Sequence, residues 1–162
     1  RSVGMPTPIT KKGYDALKAE LDRLRKVERP QVIEAIAEAR SHGDLSENAE
    51  YDAAKERQGF IESRIAEIET KLADARVVEI AGRTSDTVVF GATVSVIEQE
   101  SQSKRQYTLV GQDEADMKFN RISIQSPVGR ALIGKRVGDF DEVKTPAKVV
   151  GYEVVEIRFD EL

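Results

Sequence analysis

Apolar residues recur at helical spacing through the first half of the chain and alternate with polar ones through the second. Tyr14, Leu17, Leu21 and Leu24 follow at steps of 3, 4 and 3, a heptad seam. Thr10, just before Lys11, is a candidate N-cap for that helix. The next seam position is Glu28, and Pro30 follows, so a kink or short break is expected near 27–30. The pattern resumes with Val32, Ile33, Ile36, Ala37 and Ala39, small enough for close helix approach. A second seam runs Tyr51, Ala54, Gln58, Ile61, Ile65, Ile68, Leu72 and Ala75, again at alternating steps of 3 and 4. The expected helices span 10–41 and 46–75, each about 45 Å long at about 1.5 Å per residue. The short link between them makes them antiparallel, an intramolecular coiled-coil hairpin in a monomer.

The link is His42-Gly43-Asp44-Leu45-Ser46-Glu47-Asn48-Ala49-Glu50-Tyr51. Gly43 is free to take the positive φ that ends a helix, and Asp44-x-x-Glu47 then opens the next. Past Ala75 the period changes. Val77-Val78-Glu79-Ile80 reads as a strand entry, and the turn-rich 81–87 marks the domain boundary. Alternation predicts strands near 88–90, 92–99, 104–111, 121–125, 140–144 and 148–159. Ser126 before Pro127 predicts a short helix over 127–133, ended by Gly134. The fold class is therefore α+β in two domains: a coiled-coil arm over 8–79 with its tip at 42–50, and a twisted antiparallel β-sheet with one helix over 80–162. Residues 1–7 are expected to be a flexible start, with Arg1-Ser2-Val3-Gly4 ahead of Met5 reading as a cloning remnant.

Composition narrows the function. Hydrophobic residues make up 40% and charged residues 33%, a charge content normal for a solvated coiled coil. Cysteine is absent, which removes disulfides, thiolate metal sites and a cysteine nucleophile, and fits a reducing cytoplasm. No apolar run is long enough to cross a bilayer and no signal-peptide core is visible. Residues 1–80 carry 14 Lys+Arg against 16 Asp+Glu, and 81–162 carry 11 against 13, so each half is at −2. A protein that grips nucleic acid by itself usually shows a basic excess. Any nucleic acid should therefore be held mainly by a partner.

The tip carries the chemistry. Asp44-x-x-Glu47 reads in two ways. As a capping box, it would satisfy backbone N–H groups at a helix start. Pointing outward, the two carboxylates would suit Mg²⁺, which keeps waters and takes one or two carboxylates plus substrate phosphates. Glu50 reads as a first-turn acid at the helix dipole, Ser46 as an alternative cap, and His42 as a partner for the last carbonyls or a proton shuttle. Neither a serine–histidine–acid set nor a glycine-rich phosphate loop is present.

Four stretches share one resemblance. Ala-Ile-Ala-Glu-Ala-Arg-x-His-Gly-Asp-Leu-x-Glu-Asn-Ala-Glu-Tyr over 35–51 resembles the tip of the bacterial Gre transcript cleavage factors, most closely the GreA branch. Val89-Phe90-Gly91-Ala92-Thr93-Val94, Asp113-Glu114-Ala115-Asp116, and Ile124-Gln125-Ser126-Pro127-Val128-Gly129-Arg130-Ala131-Leu132-Ile133-Gly134-Lys135 resemble the same family, in order, over about residues 8–159. The resemblance implies an FKBP-like second domain that docks on RNA polymerase at the rim of its secondary channel, through Ser126, Pro127 and Val128. It implies an arm that enters the channel and brings Asp44 and Glu47 to the active centre of a backtracked complex. There they would hold Mg²⁺ shared with the polymerase's own acids, as in two-metal phosphodiester hydrolysis. It also implies contact of Arg40 and Lys55 with the RNA 3′ end. Lys55 keeps the charge of an arginine there but not its bidentate phosphate geometry. DNA would be met only as template in the elongation complex. The protein would be no enzyme alone. An inhibitor that fills the channel without cleavage is the alternative with the same architecture, and an autonomous metal-dependent nuclease is disfavoured by the few ligands and the weak basic surface.

Overall fold

The computed structural model describes residues 6–43 and 48–160. Arg1 to Met5, and the 44–47 stretch that holds Asp44, Ser46 and Glu47, lie outside the described residues. Among the described residues the chain divides into two compact units, Tyr14–Ala75 and the segment up to Gly13 together with Arg76 onward.

The helical unit begins as expected and then departs in one place. β1 (Thr7–Thr10) leads into α1 (Lys11–Arg23), and the Thr10 hydroxyl accepts a hydrogen bond from the Gly13 amide at 3.0 Å, the predicted N-cap. Against the kink or short break expected near 27–30, Leu24–Glu28 form a π-helical turn and α2 (Arg29–Ser41) continues from it, with Pro30 in its first turn. The Arg29 N–H reaches back to the Leu24 carbonyl, a five-residue bond. Proline's missing N–H and ring are absorbed by widening the turn rather than by ending the helix. The extra residue shifts the seam, so Val32 and Ala39 are buried while Ile33 is 52% exposed. The second helix, α3 (Ala49–Asp74), buries Ala54, Ile61, Ile65 and Ile68, four of its predicted seam positions. Ion pairs lie alongside the seam: Arg29 with Glu62 at 2.7 Å, Glu20 with Arg64 at 2.7 Å, and Arg25 with Glu69. The Arg29–Glu62 pair, set against the bond between Asn48 and the Ala39 carbonyl nearer the link, fixes α2 and α3 as antiparallel.

The other unit centres on a five-stranded sheet among the described residues, ordered β5-β4-β3-β7-β6. Its strands are β3 (Thr93–Glu98), β4 (Lys104–Val110), β5 (Arg121–Ser123), β6 (Phe140–Lys144) and β7 (Val149–Arg158). β2 (Ala75–Val78) pairs with β1 in a separate two-stranded sheet. The large sheet is antiparallel except at one edge, where β5 runs parallel to β4. The 3-10 turns Gln112–Glu114 and Met117–Phe119 bring the chain back before β5 starts. Val94, Val96, Leu109, Tyr152 and Val154 supply the centre of its core. The strand expected at 88–90 is not formed. Val88 is buried, but its N–H bonds the Lys135 carbonyl and its carbonyl accepts from Gly134, and a tight turn through Gly91 at φ +88 follows. Of the three successive apolar residues there, Val88 is buried and Val89 and Phe90 are half-buried.

The short helix α4 (Pro127–Leu132) starts where expected, with the Ser126 hydroxyl accepting from the Gly129 amide at 3.0 Å. Gly129 sits directly on β5: a Cβ there would lie 2.1 Å from the Ser123 carbonyl oxygen. Only glycine lets α4 seat this close while Leu132 fills the core.

Candidate functional site

The tip of the hairpin is built from both of its described ends. α2 stops at His42, whose N–H bonds the Ala39 carbonyl at 3.2 Å, and Gly43 takes φ +101 as expected. At the far end the caps expected at Asp44-x-x-Glu47 and Ser46 lie outside the described residues, and Asn48 holds the N-cap position of α3: its backbone is extended and its Oδ1 accepts from the Tyr51 amide at 3.1 Å. The same side chain donates through Nδ2 to the Ala39 carbonyl at 2.7 Å. One amide thus satisfies an orphan donor of α3 and gives a terminal carbonyl of α2, already bonded by the His42 N–H, a second and shorter bond. Asparagine is the residue that does both, because it carries an acceptor and a donor on one short chain.

Polar and basic side chains surround this clip. His42 Nδ1 lies 3.2 Å from Glu50 Oε2, which pairs the lone histidine with the first-turn acid across the link. The Arg40 guanidinium sits 5.9 Å from the centre of the Tyr51 ring, a cation–π contact that holds an exposed cation beside the tip. Lys55 is exposed one turn further along and donates to Gln58 Oε1 at 3.1 Å. Arg40 and Lys55 therefore flank the tip from opposite helices, as predicted, and Arg57 is exposed near Lys55. Among the described residues, no group of three or more His, Asp or Glu is placed to hold a metal ion. A metal at the tip would depend on Asp44 and Glu47, whose carboxylates are the hard oxygen donors magnesium takes, and on groups from outside the chain.

On the sheet unit, the predicted docking residues fall at the start of α4. Pro127 is exposed, and Ser126 and Val128 are half-buried. An open, mostly apolar groove of about 420 Å³ is lined by Val89, Phe90, Ile124, Arg130 and Ile133. Two of these residues belong to the loop that alternation misassigned as a strand, so sequence periodicity hid the groove. No helix among the described residues is long and apolar enough to cross a membrane.

Comparison with known proteins agrees with the geometry. Residues 7–77 match the family model described as transcription elongation factor, N-terminal. Residues 83–159 match the one described as transcription elongation factor, GreA/GreB, C-term. The chain is 57% identical over 153 residues to transcription elongation factor GreA of Trichlorobacter lovleyi, covering 94% of this chain and 97% of that protein. It is 55% identical over 152 residues to GreA of Phenylobacterium zucineum, with the same coverage of each. Among solved structures, GreA factor homolog 1 of Thermus thermophilus aligns with 28% identity and a TM-score of 0.44, covering 94% of this chain and 99% of that one. With both halves matched by their own family models, the chain belongs to the GreA/GreB family of transcription elongation factors.

Proposed function

We propose that this elongation factor binds RNA polymerase in the cytoplasm, as a monomer, and stimulates hydrolysis of the 3′ end of backtracked RNA. The hairpin enters the secondary channel, and Asp44 and Glu47 complete a Mg²⁺ site with the polymerase's own acids. Ser126, Pro127 and Val128 dock on the channel rim. Arg40 and Lys55 meet the extruded RNA, and template DNA is met only within the elongation complex. The chain is no nuclease alone, because two carboxylates are too few to hold the ion.

The observation that carries this reading is the pair of hydrogen bonds of Asn48, which accepts from the Tyr51 amide and donates to the Ala39 carbonyl. It joins the two helix ends that flank residues 44–47 and supplies the α3 cap from a residue other than Asp44 or Glu47. When bound, the ion activates water or steadies the leaving oxygen. The chain's own contribution is to carry two negative donors on a rigid arm and to keep cations beside them for the RNA backbone. The flanking cations also offset the repulsion that two carboxylates meet near phosphate.

The test is RNA cleavage in a defined backtracked complex, with and without polymerase. Asp44→Asn and Glu47→Gln keep size and remove charge. Each is expected to abolish most stimulated cleavage while polymerase binding persists, with partial rescue at raised Mg²⁺. The double variant should be little worse than either single one, since both residues serve one ion. Full stimulation by the double variant would sink the mechanism. Cleavage without polymerase would make the protein a nuclease, and binding without stimulation by the wild type would make it a channel inhibitor.

A further inference from the structure

A carboxylate on the sheet unit serves the first turn of the helix that leads to the tip. Glu114 ends the 3-10 turn after β4, and its side chain accepts from the Gly111 amide at 3.1 Å. It also accepts from the Thr10 amide at 3.3 Å, 104 positions away, and from the Thr10 hydroxyl. That hydroxyl in turn accepts from the Gly13 amide at 3.0 Å. Thr10 is buried and Glu114 half-buried, so these bonds are partly shielded from water. The negative charge also faces the positive end of the helix dipole.

Two glycines make the room. A Cβ at Gly13 would lie 2.3 Å from Glu114 Oε1 and 2.6 Å from its Cδ, and its three nearest neighbours are all Glu114 side-chain atoms. A Cβ at Gly111 would lie 3.1 Å from Glu114 Oε2 and 3.2 Å from the Pro8 carbonyl oxygen. Helix N-caps are ordinarily local. Here the cap is itself held by a distant carboxylate, at the cost of a glycine in the first helical turn, where glycine is unfavourable by about 1 kcal/mol.

The geometry points to Glu114 as a positioning residue for the cleavage reaction. It fixes the root of α1 to the end of β4, so that the helix carrying the tip starts from one defined first turn. This role rests on the function proposed above. Loosening the root leaves the docking surface intact and lowers the fraction of bound factor whose tip carboxylates are in place, a loss in rate rather than in affinity.

Two measurements separate the roles. In the first, stimulated cleavage is followed against factor concentration. Glu114→Ala is expected to lower the maximal rate about tenfold and leave the half-saturating concentration within about twofold. Glu114→Gln, which keeps an acceptor oxygen, should recover part of the rate. Gly13→Ala should reproduce the loss in the wild-type background, and add nothing in the Glu114→Ala background, where no carboxylate remains for the methyl group to displace. In the second, amide hydrogen exchange of the free protein should speed up at Thr10 and Gly111 in Glu114→Ala, with the Tyr51 amide unchanged. An unchanged maximal rate alongside faster exchange would reduce Glu114 to a local cap. Unchanged exchange would remove the clamp itself. A wild-type protein that stimulates no cleavage would instead overturn the function on which the role depends.

Discussion

At the scale of single residues, Asn48 matters most to the arm. Replacing it with alanine removes the cap on the Tyr51 amide and leaves the Ala39 carbonyl with only the longer bond from the His42 N–H. The expected cost is about 1–2 kcal/mol of hairpin stability, read as a lower midpoint in thermal unfolding followed by circular dichroism. Asn48→Asp keeps the acceptor and loses the donor, so it should retain the cap and forfeit only the bond to Ala39. An alanine variant as stable as the wild type would show that the clip contributes nothing in solution. The carboxylates and cations of the tip were legible in the sequence, as residue types gathered in a short polar link. The cap was not. Asp44, Ser46 and Asn48 are all capable caps within five positions, and Asp44-x-x-Glu47 matches the capping-box spacing. The choice is made by the Ala39 carbonyl on the other helix, which local sequence does not contain.

At the scale of elements, the two seams were legible because burial alone dictates their spacing, and the π turn was not. Proline at position 30 forbids a regular helix but does not say whether the chain breaks or widens; the continuous apolar contact on either side decides for widening. The strand at 88–90 failed for the converse reason, an apolar run whose hydrogen bonds go to a loop. The ion pairs beside the seam carry a pH dependence. The Arg64 guanidinium, hydrogen-bonded to Glu20, holds that carboxyl below its ordinary 4.5. The folded value is thus lower than the unfolded one, so the stabilisation is complete above pH 4.5 and is lost as pH falls through the folded value. The pair is part-exposed, and screening limits it to at most about 1 kcal/mol. The advantage of the wild type over Glu20→Gln in thermal midpoint should therefore be present at neutral pH and vanish in strong acid. An equal advantage at both would remove the pair as its source. α4 carries the docking prediction. Pro127 is exposed at the first helical position, where glutamate is also well tolerated. Pro127→Glu should leave the free protein folded and weaken polymerase binding roughly tenfold, about 1.4 kcal/mol. Unchanged binding would take this turn out of the interface.

At the scale of the whole molecule, the change from helical to alternating period announced two kinds of structure, and each unit has a core of its own. Leu17, Leu21, Val32, Ile61, Ile65 and Ile68 are buried in the hairpin, and Val94, Val96, Leu109, Tyr152 and Val154 in the sheet. Sequence periodicity did not reveal that the segment up to Gly13 belongs with the sheet unit, because that assignment rests on pairing of β1 with β2 and on the Glu114 contact. Separate cores predict separable unfolding. Ile65→Asp puts a charge without a partner into the hairpin seam and removes a buried side chain, losses of several kcal/mol together. The helical signal in far-ultraviolet circular dichroism should then collapse at a much lower temperature. The sheet has an independent reporter in Tyr152, whose phenol is pushed up to about 12 from 10.0, first by burial and then by its hydrogen bond with Tyr107. In Ile65→Asp that phenol should still ionise late on titration with base, followed by ultraviolet absorbance, because its surroundings lie wholly within the sheet core. If it instead ionises at the ordinary value, or if helix and sheet are lost in a single transition, the sheet depends on the hairpin for its fold and the two cores are not independent.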